Sequence, residues 1–185
     1  MNIPIFLTLL RILVIPVIVL AYYAPFAFNH WFCAVLFAMA SLTDWLDGYL
    51  ARTWGQTSAL GRFLDPLADK LIIATCLVLL VAQPFLPYIM LPAAIIVARE
   101  ITISALREWM AEIGKRTSVA VSYIAKVKTT LQMLAVLCLL TYSPGDNLII
   151  VSAGYLLLYV ASLLTVWTMC AYLRTAWPDL RLPLT

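Results

Sequence analysis

Read from its first residue, the chain alternates long apolar runs with short polar or turn-forming breaks. Six runs stand out: Ile5–Ala24, Trp31–Leu50, Leu67–Val81, Tyr88–Met110, Val119–Thr141 and Leu148–Leu173. Between them fall Pro25 to His30, the polar stretch Arg52–Arg62, Gln83-Pro84 with Pro87, Gly114–Ser118, and Ser143 to Asn147. Pro, Gly and Asn mark loops because they break helices or favour turns. Most of the runs approach or exceed the ~20 residues that an α-helix needs to cross a bilayer. The pattern therefore predicts an all-α integral membrane protein of six transmembrane helices, a single domain over residues 1–185. The first run lacks a basic segment ahead of it and a small-residue cleavage site after it, so it reads as a retained span.

Composition agrees. Of the 185 residues, 64% are apolar and only 11% charged, with a mean hydropathy of +0.99. Soluble domains carry roughly 25% charged residues, so this chain cannot coat a globule with polar surface. Cys33, Cys76, Cys138 and Cys170 are scattered through apolar runs without a CxxC pair and read as small core residues. Aromatic residues near the run ends, such as Trp31, Trp54 and Trp109, suit interfacial anchoring.

Basic residues orient the chain. The loops at 25–30, 82–87 and 142–147 contain no Lys or Arg, whereas the other side holds Arg52, Arg62, Lys115, Arg116, Arg174 and Arg181. Positive residues stay on the cytoplasmic side, so both termini are expected there.

The chemistry lies in charges placed inside apolar runs. Each charge near a bilayer centre costs about 2.5–3.5 kcal/mol on insertion scales. Asp44 and Asp47 are three residues apart, and Asp65 and Asp69 four apart, so each pair shares one helix face. A short loop at 53–61 makes the two helices antiparallel neighbours and brings the pairs to one depth. Four carboxylates together would take up protons or bind cations. All-oxygen ligation suits Mg²⁺ or Mn²⁺, and two ions would balance the charge. Gly48, Ala51 and Gly61 keep the lining free of bulk, although small residues also serve plain helix packing.

A second set is basic. Arg99 and Arg107 lie about 80° apart around one helix, and Lys126 and Lys128 point to nearly opposite sides of the next, so one of the two suits the pocket better. These residues fit an anion site beside the acidic one. The plainer alternative pairs the arginines with Glu100, Glu108 or Glu112.

Asp44, Asp47, Gly48, Ala51, Arg52, Gly61, Asp65 and Asp69 together match the pattern D-x2-D-G-x2-A-R-x8-G-x3-D-x3-D at every fixed position. In this the chain resembles the CDP-alcohol phosphotransferases. The segments Ala98–Lys128 and Asn2–Arg11 are similar to members that use sn-glycerol 3-phosphate as acceptor, departing at Ile5, where many relatives have Asn. The resemblance implies a six-helix fold over the whole chain, a homodimer, a bacterial inner-membrane location with the site facing the cytoplasm, and CDP-diacylglycerol and sn-glycerol 3-phosphate as substrates. It implies metal binding by Asp44, Asp47, Asp65 and Asp69, with Asp69 also the general base. It places Gly48, Ala51, Arg52 and Gly61 at the CDP site, and Arg99, Arg107 and Lys126 or Lys128 at the acceptor phosphate. Thr8 and Arg11 would contribute from the first helix. Serine, inositol, inositol phosphate, choline and phosphatidylglycerol are the other acceptors used in the family. A transporter is the rival from another class, since buried Asp, Arg and Lys also mark ion pathways. The lack of internal repeats and the position of the acidic cluster near one face count against it.

The orientation is testable. A C-terminal reporter that is active only in the cytoplasm is expected to be active, and one active only outside it to be silent.

Overall fold

The computed structural model describes residues 3–25, 28–54, 59–112, 123–143 and 148–180. Of these, the side chains of 3–5, 44–54, 59, 60, 62, 63, 123, 125 and 178–180 lie outside the described residues. Among the described residues the fold is all-helical, with six helices: α1 (Ile3–Tyr23), α2 (Asn29–Trp54), α3 (Ala59–Val81), α4 (Met90–Glu112), α5 (Tyr123–Leu140) and α6 (Leu148–Leu180). By length and composition α1 and α6 could each cross a membrane, through Phe6–Tyr23 and Leu148–Trp177.

Each apolar run became a helix, but several ends moved. The expected loop at 53–61 is shorter, because α2 continues to Trp54 and α3 starts at Ala59. Hydropathy ends a segment where apolar residues stop; the backbone continues through Ala, Leu and Arg, which are good helix formers. α6 likewise runs past Leu173 to Leu180. α4 starts at Met90 rather than at Tyr88, because Tyr88 has a φ of 65° and cannot open a right-handed helix. That backbone is pinned by α6: Tyr155 Oη donates to the Pro87 carbonyl at 2.6 Å and Tyr159 Oη to the Tyr88 carbonyl at 2.9 Å. The turn from α1 to α2 is tied by Asn29. Its amide donates to the carbonyls of Tyr22 and Ala24, which the end of α1 leaves without helical partners.

Helix directions follow from the contacts. α5 and α6 form an antiparallel hairpin, and α1 packs against both α2 and α3. α4 runs parallel to α6, since Tyr88 meets Tyr159, Arg99 meets Thr168, and Arg107 meets Tyr172.

Apolar and polar interiors are segregated along the bundle. The main core joins Ile18, Cys33, Phe37, Leu77, Leu139 and Leu158, all toward the end whose loops carry no Lys or Arg. Thr8, Arg11, Arg99, Lys128 and Thr168 are buried toward the opposite end. Large apolar side chains also face outward, among them Leu20, Val78, Leu91, Ile101, Leu163 and Trp167. Cys33 and Cys76 are buried as expected; Cys170 is exposed, and all four are free thiols.

Gly154 sets the α5–α6 spacing. A Cβ built there would lie 2.8 Å from Leu139 Cγ and 3.2 Å from Cys138 Cβ. Small residues permit such close helix approach. Gly154→Val is expected to destabilise the protein by about 1–3 kcal/mol through overpacking, seen as a lower denaturation midpoint in detergent; Gly154→Ala, which Leu139 can relieve by rotating, should cost less.

Candidate active site

Asp65 and Asp69 occupy one face of α3, as their spacing requires, and that face meets α1. Thr8 Oγ1 donates to Asp65 Oδ1 at 2.5 Å, and Arg11 Nη1 pairs with Asp69 Oδ1 at 3.0 Å. The partners advance together along both chains, so α1 and α3 run parallel here. Thr8 is fully buried and Arg11 nearly so. A buried cation needs a carboxylate, and a buried carboxylate needs donors; each residue of the pair meets the other's requirement. Thr8 and Arg11, the two residues singled out on the first helix, thus stand beside Asp65 and Asp69. Gly61, one turn before Asp65, is buried.

Asp44, Asp47, Gly48, Ala51 and Arg52 lie on α2, but their side chains fall outside the described residues. Among the described residues no three His, Cys, Asp or Glu side chains gather into a metal-sized group. Asp65 and Asp69 offer only oxygen, positioned on one face and oriented by α1. That donor chemistry fits a hard divalent cation such as Mg²⁺ or Mn²⁺.

The basic set forms a seam where α4, α5 and α6 meet. Glu100 Oε1 accepts from Arg99 Nη1 at 3.0 Å and from Lys128 Nζ at 2.5 Å. Arg99 Nη2 also donates to Thr168 Oγ1 at 3.2 Å. Lys128 is 1% exposed and Arg99 6%. Arg107 is exposed, and its guanidinium lies 5.6 Å from the Tyr172 ring centre, with that of Arg99 at 5.9 Å from the same ring. Tyr172 therefore places both arginines around one aromatic face. The alternative in which a glutamate partners Arg99 is realised through Glu100, yet two buried cations share that one carboxylate, and the trio remains positive.

The two lysines of α5 part company. Two residues rotate a helix by about 200°, so Lys128 enters the seam and Lys126 does not. Lys126 is exposed and lines a surface cavity of about 300 Å³ with Val127, Thr130 and Leu131. Of the two lysines, Lys128 is the one that enters the buried seam.

Several residues of the seam were passed over in the sequence. Glu100 was weighed only as a rival partner for the arginines. Gln132, one turn beyond Lys128, and Thr165, one turn before Thr168, are almost wholly buried, with side-chain polar atoms lacking hydrogen-bond partners among the described residues. Neutral polar residues inside apolar runs were the available signal. Lys70, next to Asp69, reaches across to α4 and bonds Ser104 Oγ.

The comparisons with known proteins agree with this architecture. The family model for CDP-alcohol phosphatidyltransferase matches residues 1–169. The chain belongs to that family. A protein of Yersinia enterocolitica is 53% identical over 183 residues, covering 99% of both chains; one of Sodalis glossinidius is 55% identical over 180 residues, covering 97% of both. A third, from Pectobacterium atrosepticum, is 53% identical over 182 residues, 98% of each chain. All three carry the name CDP-diacylglycerol–glycerol-3-phosphate 3-phosphatidyltransferase.

The seam gives a stability test. Removing one partner of a buried ion pair costs about 3–5 kcal/mol, because the remaining charge stays buried. Glu100→Gln leaves Arg99 and Lys128 facing one another without a counter-charge, and is expected to lower the denaturation midpoint accordingly. The conservative Glu100→Asp should lose less.

Proposed function

We propose that the protein transfers the phosphatidyl group of CDP-diacylglycerol to sn-glycerol 3-phosphate, yielding phosphatidylglycerophosphate and CMP. The name shared by the full-length relatives supports the reaction. The observation that carries the acceptor is the buried pair Arg99 and Lys128, two cations against one carboxylate, in the same bundle as the aspartate face of α3. A neutral acceptor such as serine or inositol has no need of such a seam.

In the reaction a hydroxyl oxygen of the acceptor bonds to the β-phosphorus of the lipid nucleotide. The bond from that phosphorus to the bridging oxygen breaks, and CMP departs with its electron pair. Asp69 accepts the hydroxyl proton. Arg11, paired with it at 3.0 Å, fixes the direction of its carboxylate, as a positioned general base requires. Asp44, Asp47, Asp65 and Asp69 would hold Mg²⁺ or Mn²⁺, two ions by charge balance. Such ions neutralise the diphosphate and the charge that develops on the leaving group. Gly48, Ala51, Arg52 and Gly61 line the CDP side. Arg99 and Lys128 hold the acceptor phosphate by exchanging part of their bond to Glu100 for phosphate oxygens, with Arg107 at the exposed edge. A site held this way gains from orientation, which is the main catalytic contribution in phosphoryl transfer.

The wider setting follows the same reading. All six helices span a bacterial inner membrane, both termini are cytoplasmic, and the enzyme works as a homodimer. A pocket at the cytoplasmic interface admits an acyl-chain substrate from the side and a soluble dianion from the water.

An acceptor screen on purified protein, following CMP release, tests the assignment. Release should depend on sn-glycerol 3-phosphate and not on serine, inositol or inositol phosphate. Preference for another acceptor overturns it. Asp69→Asn is expected to abolish turnover while CDP-diacylglycerol still binds; loss of both together counts against the base role.

A further inference from the structure

We propose that Lys70 is a further binding residue for the phosphate of the acceptor, reaching it from the α3 side; this rests on the acceptor reading above. Lys70 follows Asp69 on α3. Adjacent helical residues point about 100° apart, so while Asp69 faces Arg11 on α1, Lys70 faces α4. There its ammonium bonds Ser104 Oγ, which in turn donates to the Glu100 carbonyl at 2.6 Å. Glu100, Ser104 and Arg107 are spaced i, i+4, i+7 and share one face of α4. The ammonium thus reaches Ser104, the middle position of the α4 face that carries Glu100 and Arg107 on either side of it.

Its partners are what single it out. Of the buried or partly buried cations among the described residues, Arg11 pairs with Asp69, and Arg99 and Lys128 pair with Glu100. Lys70 is partly buried, and a neutral hydroxyl is its only hydrogen-bond partner among the described residues. An ammonium has three donors, and one withdrawn from water without a counter-charge is costly. Arg99, Lys128, Arg107 and Glu100 together carry two net positive charges, and a phosphate monoester near neutral pH carries close to two negative ones. Glu100 competes for Arg99 and Lys128, and Arg107 is exposed to water, whereas Lys70 adds a partly buried cation that no described carboxylate claims. Its flexible stem lets the ammonium swing from Ser104 to a phosphate oxygen. Since Lys70 is bonded in sequence to Asp69, the same contact ties the bound acceptor to the helix that bears the base.

The plain alternative is that Lys70 only fastens α3 to α4 through Ser104. Lys70→Gln and Ser104→Ala separate the two. Gln can keep a hydrogen bond to Ser104 but has no charge; Ser104→Ala removes the fastening and leaves the charge. Steady-state KM values for sn-glycerol 3-phosphate and CDP-diacylglycerol are measured for both variants and for Lys70→Arg. The expected result is a KM for sn-glycerol 3-phosphate raised about tenfold or more by Lys70→Gln, the loss of one charge-assisted contact. The KM for CDP-diacylglycerol should stay within about twofold, Lys70→Arg should recover much of the loss, and Ser104→Ala should change either KM by less than about threefold. Equal rises in both KM values, no rise at all, or a Ser104→Ala effect as large as that of Lys70→Gln overturns the proposal. If Lys70→Gln fails to fold, the comparison of Lys70→Arg with Ser104→Ala decides: a near-normal arginine enzyme with a crippled alanine one means a fastening role. Failure of the acceptor reading itself is distinct, because the wild-type protein would then release no CMP with sn-glycerol 3-phosphate.

Discussion

Buried charge has to be answered inside the bundle, and this constraint organises the polar end of the protein. Arg11 and Asp69 answer one another across α1 and α3, with Thr8 and Asp65 one turn away. Glu100 answers both Arg99 and Lys128 across α4 and α5, and Thr168 adds a bond from α6. Lose the compensation and the desolvated charge becomes a penalty of several kcal/mol. The apolar half can tolerate slippage between Leu, Ile and Val side chains; the polar half cannot, because each pair works at one register. α1 and α3 are therefore set parallel and in step by their ion pair, while the apolar core packs around that alignment.

On the proposed reading, the same network that stabilises the fold would also prepare the chemistry. A phosphate ligand would present oxygens much as Glu100 does, and the resting carboxylate would keep Arg99 and Lys128 aimed at the place an anion occupies. Preorganised cations need little rearrangement on binding, which leaves more of the interaction for orienting the reacting groups. The carboxylates of α3 and the cations of α4 and α5 sit on adjacent helices, with Lys70 and Ser104 as the link between them. The described charged pairs all lie toward one end of the bundle, as the proposed joining of a lipid-borne diphosphate to a water-soluble phosphate would need.

Much of this was legible in the chain. The apolar runs gave all six helices, since burial in apolar surroundings favours the one backbone form that bonds within itself. The aspartate pairs could be assigned to shared helix faces from spacings of three and four alone, and the family follows from their pattern together with the glycines. Helix ends were less legible. Trp54 and Ala59 show that a helix continues beyond its apolar stretch, and Tyr88 shows that an apolar residue just before a helix can adopt a conformation that keeps it out.

Sequence by itself determined the element type, the aspartate pairs, and the presence of basic residues that an apolar chain does not keep without a use. Only the tertiary structure decided which partners those charges take. The periodicity of α5 says that Lys126 and Lys128 oppose one another, but not which points inward; the meeting of α5 with Glu100 on α4 selects Lys128. Likewise nothing local marks Thr8 and Arg11 as partners of Asp65 and Asp69, more than fifty residues away. Local spacing sets the face of a helix on which a side chain lies, and only packing between helices sets what that face meets.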